Sequence, residues 1–265
     1  MSNRLSRTTK VLYGSGDIGF SLTSTIVGAY LAIFLTDVVV INPALVAVAI
    51  FIGRSWDYIN DPLVGHLSDR TRTRWGRRRP FLLFGCVPFA IAFAMMWWRP
   101  PWQADWALAL YYAAAYVIFD MAATFVYMPY FALTPELTAD YDERTSLTTY
   151  RMFFSILGSL LAFTLPLLII GELQPQNAPR VWLMGGVFGL ASALPLLIVF
   201  FSTREKPVFV EQERPRLLDA LRAAFRTPPF VYGLGMFLLT WVVVDIVQAV
   251  LLYYIKYWLL RESES

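Results

Sequence analysis

Trp56-Asp57-Tyr58-Ile59-Asn60-Asp61-Pro62 runs into Gly65-His66-Leu67-Ser68-Asp69-Arg70 and then into Trp75-Gly76-Arg77-Arg78-Arg79-Pro80. Two carboxylates therefore stand four residues apart inside an otherwise apolar segment, just ahead of a strongly basic turn. An ionised side chain at the centre of a membrane helix costs about 2.5 to 3.5 kcal/mol on insertion scales, so two of them need a partner or a task. A bound cation supplies both.

Everything around the stretch is apolar enough for a membrane. Hydrophobic residues make up 57% of the 265-residue chain and charged residues only 15%, with nine Trp and twenty Phe, and the mean hydropathy is +0.53. This is the composition of a polytopic membrane protein. The single cysteine, Cys86, excludes an internal disulfide and a cysteine metal cluster, and the single histidine, His66, excludes a His-rich site.

Apolar runs long enough for a hydrocarbon core of roughly 30 Å fall near 11–39, 44–67, 80–98, 106–133, 148–170, 181–201 and 230–258, which predicts seven spanning helices. Basic residues alternate between the loops. Arg4, Arg7 and Lys10 lead in, Arg70, Arg72, Arg74, Arg77, Arg78 and Arg79 fill the second loop, and Arg204, Lys206, Arg214, Arg216, Arg222 and Arg226 fill the sixth, against only Arg99 and Arg180 in the first, third and fifth. The pattern is that of membrane orientation and not of nucleic-acid binding: a cytoplasmic N-terminus, a C-terminus on the outside, and no cleavable leader before the first span. In the loop from Ser202 to Pro229, Leu217, Leu218, Leu221, Ala224 and Phe225 form one stripe among charges, which predicts a short helix lying on the cytoplasmic face, a linker in preference to a calmodulin-type partner site.

Two further patterns carry no function. Gly14-Ser15-Gly16-Asp17-Ile18-Gly19 fits a dinucleotide-binding glycine pattern, yet no strand precedes it. Seven helices with Lys256 in the last suggest a retinal protein, but the charge topology is reversed.

Asp61-Pro62-Leu63-Val64-Gly65-His66-Leu67-Ser68-Asp69-Arg70 followed by Arg77-Arg78-Arg79-Pro80 resembles the loop between the second and third helices of the major facilitator superfamily. In detail the chain is similar to the glycoside-pentoside-hexuronide:cation symporters, the melibiose-carrier group. The same resemblance extends to Tyr13-Gly14-Ser15-Gly16-Asp17, Tyr30 and Thr36-Asp37-Val38, to Pro135-Glu136-Leu137-Thr138, Tyr141-Asp142-Glu143-Arg144-Thr145 and Tyr150-Arg151, and to Tyr253-Tyr254-Ile255-Lys256-Tyr257. It implies an all-α membrane protein: a six-helix N-terminal bundle over residues 1–201, a cytoplasmic linker over 202–229, and over 230–265 one helix of a second bundle. A fragment of a longer product, an interrupted gene and an assembly with a missing C-terminal half are all compatible with that extent.

The resemblance further implies alternating access, with no bond chemistry and no cofactor, coupling inward Na+ or H+ movement to uptake of a sugar or glycoside across the inner membrane. A lysolipid:Na+ symporter of a related branch and a transport-inactive fragment are the alternatives. The coupling cation would sit on Asp57 and Asp61, which share one helical face, with Thr124 matching a family threonine and Asn60 retained; against this stands a simple pairing of Asp57 with Arg54. At the positions of the two sugar-binding carboxylates the chain departs from the group, with Ser21 and Tyr127, and Phe131 replaces a tryptophan. Asp17, one helical turn before Ser21, and Asp120, one turn before Thr124, with Tyr116 and Tyr127, form the expected polyol site, Asp120 foremost; bonding between helices is the competing role. Arg151 matches a family arginine near the cytoplasmic side of the pathway, or snorkels to the interface. Trp241, Asp245 and Gln248 share a face that would complete the site. Asp69, Arg70, Arg77, Arg78, Arg79 and Arg144 are the expected cytoplasmic gate.

Overall fold

The computed structural model describes residues 5–205 and 222–259. Local chemistry starts and stops the helices where expected. Ser6 caps α1 (Arg7–Gly14) by accepting from the Thr9 N–H at 3.0 Å. After a break at Ser15 the chain continues as α2 (Gly16–Ile33) and closes in a π-helical turn, Phe34–Val39. Asn42 caps α3 (Pro43–Arg70) through the Ala44 N–H, with Pro43 in the first turn, where its missing N–H is no loss. The other long helices are α4 (Arg79–Met96), α5 (Asp105–Leu137), α6 (Tyr141–Ile170), α7 (Ala178–Ser202) and α8 (Pro228–Tyr254). Asp140 caps α6 by accepting from the Glu143 N–H, and Gly171, at φ +71°, ends it.

Among the described residues, six helical stretches are long and apolar enough to cross a membrane: Arg7–Val39, Arg79–Met96, Asp105–Leu137, Tyr141–Ile170, Pro175–Ser202 and Pro228–Leu251. The seventh expected span corresponds to α3, whose 28 residues suffice in length. Its apolarity is broken by Arg54, Asp57 and Asp61 along its middle, so the helix of greatest functional interest is also the least lipid-like. The amphipathic linker helix expected between 202 and 229 falls for the most part outside the described residues.

The chain divides into two compact units, residues 1–27 with 31–206, and residues 28–30 with 207–265. In the first, α3 packs on α5, α4 on α5 and α7, and α1 on α6 and α7. Helices in lipid gain nothing from burying leucine against leucine, so close approach and polar contacts decide which pairs form. At Gly158 of α6 an added Cβ would come within 3.0 Å of the Ile18 carbonyl on α2, and at Gly53 of α3 within 2.3 Å of the Tyr116 ring on α5. Beside the first contact, Ser21 and Ser155 hydrogen-bond at 2.7 Å, and Thr25 donates to Ser159 at 3.2 Å. An aromatic core of Phe34, Trp97 and Tyr112 fills the region between the π-turn, α4 and α5. In the second unit the described residues include α8 with its π-helical end, Ile255–Leu259.

Candidate functional site

Asp57 and Asp61 occupy consecutive turns of α3, four residues apart, on one face of the helix. Asn60 sits between them in sequence but faces inward, 4% exposed. Its amide donates to the Asp120 backbone carbonyl at 3.3 Å and to Asp120 Oδ2 at 3.4 Å. Asp120 of α5 is therefore tied to the helix that carries the aspartate pair, and Asp57 and Asp61 both act on its charge. Thr124, one turn further along α5, is buried on the same helix. Tyr116 of α5 is buried, with its ring against Gly53 of α3, next to Arg54 in sequence. Residues assigned separately in sequence to the cation and to the solute thus form one α3–α5 cluster.

Two like charges about 4 Å apart repel by roughly 4 kcal/mol at an effective dielectric of 20, and a monovalent cation between carboxylates reverses the sign. Oxygen ligands of this kind suit Na+ or a proton. Pro62 adds a feature with a readable signal: it carries no N–H, so α3 cannot close the usual bond onto the Tyr58 carbonyl, which stands between the two aspartates in sequence. Among the described residues no group of three or more His, Cys, Asp and Glu side chains gathers as a metal-ligand set. The arrangement is a two-carboxylate site with amide, hydroxyl and carbonyl oxygens nearby.

Asp17 and Arg151 belong to a second cluster. Arg151 Nε meets Asp17 Oδ2 at 2.6 Å and its terminal nitrogen meets Oδ1 at 3.3 Å. The other terminal nitrogen donates to Thr134 Oγ1 at 3.0 Å, and the guanidinium lies 4.8 Å from the Phe131 ring centre. Tyr130 donates its hydroxyl to Asp17 at 3.1 Å. Tyr13 donates to the Tyr130 backbone carbonyl at 2.7 Å, and the Tyr130 hydroxyl also lies 2.9 Å from the Tyr13 carbonyl, a second acceptor that shares its one proton with Asp17. Asp17 is in consequence bound on both oxygens within the first unit, linking α2, α5 and α6. Tyr127 is buried, edge-on to Phe20 and Phe89, with its hydroxyl close to Gly19. Trp241, Asp245 and Gln248 stand on α8, in the second unit.

The basic turn forms a third cluster. Arg77 and Arg78 both reach Glu136 Oε1 at 2.6 Å, and Arg78 also reaches Asp69 at 2.9 Å. Arg79 donates to the Phe200 carbonyl at 3.1 and 2.6 Å. Arg70 and Arg144 are exposed, and Arg144 donates to the Thr138 carbonyl at 3.4 Å. Sequence reasoning placed the arginines and Asp69 here but not Glu136, nor Glu205, which accepts from the backbone N–H groups of residues 77–79. Glu136 carried a signal in its position within the Pro135-Glu136-Leu137-Thr138 motif; Glu205, in a run of loop charges, carried none.

The chain is 41% identical over 231 residues to an uncharacterized symporter of Synechocystis sp., covering 84% of this chain and 42% of that protein. It is 36% identical over 208 residues to the putative glycoside/cation symporter YagG of Escherichia coli, covering 77% of this chain and 44% of the relative. Against the sodium-dependent lysophosphatidylcholine symporter 1-A of Danio rerio the identity is 30% over 282 residues, 94% of this chain and 53% of the relative. The chain spans about half the length of the curated relatives it matches. Its helices are those of a multi-pass membrane protein, and with residues 12–264 matching the model of the MFS/sugar transport proteins, the chain belongs to that family of transporters.

Proposed function

We propose that the chain serves cation-coupled symport, in which downhill entry of Na+ or H+ drives uptake of a sugar or glycoside by alternating access. The observation that carries this reading is the pair Asp57 and Asp61 on one face of α3, joined to α5 through Asn60 and Asp120, in a chain whose relatives are named symporters. The cation would bind Asp57 and Asp61 with oxygen from Thr124 and Asn60. Asp120 would meet the solute beside it, so that occupancy by one ligand favours the other, as coupling requires. The cluster of Asp69, Arg77, Arg78 and Glu136 would close the cytoplasmic side, with residues 1–201 as the first bundle and α8 opening a second. The arginine-rich loops favour an inner-membrane protein with its N-terminus in the cytoplasm.

Reconstitution in liposomes tests this directly. An imposed Na+ or pH gradient should drive accumulation of a labelled glycoside, and Asp57→Asn should abolish the dependence on the gradient. Absence of gradient-driven flux for every solute class refutes the function; unchanged coupling in Asp57→Asn refutes the site. A second reading, a lysolipid:Na+ symporter, is favoured by the similarity to the Danio rerio protein and by Ser21 and Tyr127 standing where the melibiose group places sugar-binding carboxylates. Competition by lysophosphatidylcholine, with none by free sugars, would select it.

A further inference from the structure

Three backbone N–H groups at the head of α4 converge on one carboxylate. Arg77 donates to Glu205 Oε2 at 2.6 Å, while Arg78 and Arg79 donate to Oε1 at 2.8 and 3.0 Å. A helix start leaves such amides without intrahelical acceptors, and its dipole favours an anion there. The preceding turn is shaped for the same occupant. Gly76 has φ +110°, and a Cβ built on it would lie 2.6 Å from Glu205 Cδ, so a side chain is barred both by backbone conformation and by the carboxylate itself. The side chains of the same three residues go elsewhere: Arg77 and Arg78 to Glu136, Arg78 also to Asp69, and Arg79 to the Phe200 carbonyl near the end of α7.

We propose that Glu205 is a positioning residue for the cytoplasmic charge cluster. Its carboxylate, seated on the amides of residues 77–79, sets the α3–α4 turn so that Arg77 and Arg78 meet Glu136, and it fastens to that turn the point where the chain leaves α7. The proposal is independent of the coupling-ion reading, since none of its contacts involves Asp57, Asp61 or Asp120.

Hydrogen–deuterium exchange of the full chain in detergent micelles tests it, with Glu205→Ala, Glu205→Gln, Gly76→Ala and Glu136→Gln as the variants. Glu205→Ala and Gly76→Ala should each speed exchange of the amides of residues 77–79 by about tenfold or more, the scale expected when charge-assisted hydrogen bonds are lost. Glu205→Gln, which keeps an acceptor oxygen and drops the charge, should fall between Glu205→Ala and the unaltered chain. Glu136→Gln removes the counter-charge of the same arginine side chains and should leave those amides protected. Unchanged exchange in Glu205→Ala overturns the proposal. So does equal acceleration by Glu136→Gln, which would place the protection in the arginine side chains, or an increase spread evenly over α4 and α7, which would make Glu205 a general stabiliser.

Discussion

Replacing Asp17 with Asn should leave a guanidinium inside the bundle without its counter-charge. In the folded chain Arg151 holds Asp17 through contacts of 2.6 and 3.3 Å, and the two side chains are only 18% and 6% exposed. Removing one partner of a buried pair costs about 3–5 kcal/mol, because the survivor stays desolvated. Arg151 keeps part of its environment in the variant. Thr134 still accepts at 3.0 Å, and the rings of Phe131 and Tyr130 remain 4.8 and 5.2 Å away, contacts that return about 0.5–2 kcal/mol to a desolvated cation. The expected loss is therefore about 1–4.5 kcal/mol, combining those two ranges. A double-mutant cycle with Arg151→Met, read by SDS-induced unfolding of the chain in mixed micelles, isolates the pair. The double variant should be more stable than the sum of the single losses by about 2 kcal/mol, since neither charge is then left alone. Additive losses, within about 0.5 kcal/mol, would mean that the two groups do not interact and that Asp17 is free for another ligand.

Gly53→Val should separate α3 from α5, since even a Cβ would meet the Tyr116 ring at 2.3 Å; overpacking of this kind costs about 1–3 kcal/mol in the same unfolding assay. Glu136→Gln should expose the loop between α3 and α4 to trypsin, because Arg77 and Arg78 both lose the counter-charge of their shared 2.6 Å partner, and Glu136→Asp should restore part of the resistance. Asn60→Ala removes two bonds to Asp120 and should cost about 1–3 kcal/mol of stability, the penalty for an unmade buried hydrogen bond. A loss that Asp120→Ala fails to reduce would place the tie in the bond to the Asp120 backbone carbonyl and not in the carboxylate.

Composition, apolar length and the alternation of arginines between loops were enough to read a polytopic helical bundle, because lipid demands that every spanning backbone group be satisfied within its own helix. The spacing of Asp57 and Asp61 likewise put both on one face of α3, since side-chain direction follows from 3.6 residues per turn. Partnership is different in kind. That Asn60 reaches Asp120, that Arg151 meets Asp17 across 134 positions, and that Glu205 caps a helix beginning 126 residues earlier depend on how helices lie side by side. No local pattern encodes such contacts, so the counter-ion of Asp17 on α6 was not legible in the sequence. The amino-acid sequence by itself determined which charges are carried into the membrane and on which helical face. Only the tertiary structure decided which of them neutralise each other, because burial and distance, not residue type, set the sign and size of an electrostatic interaction.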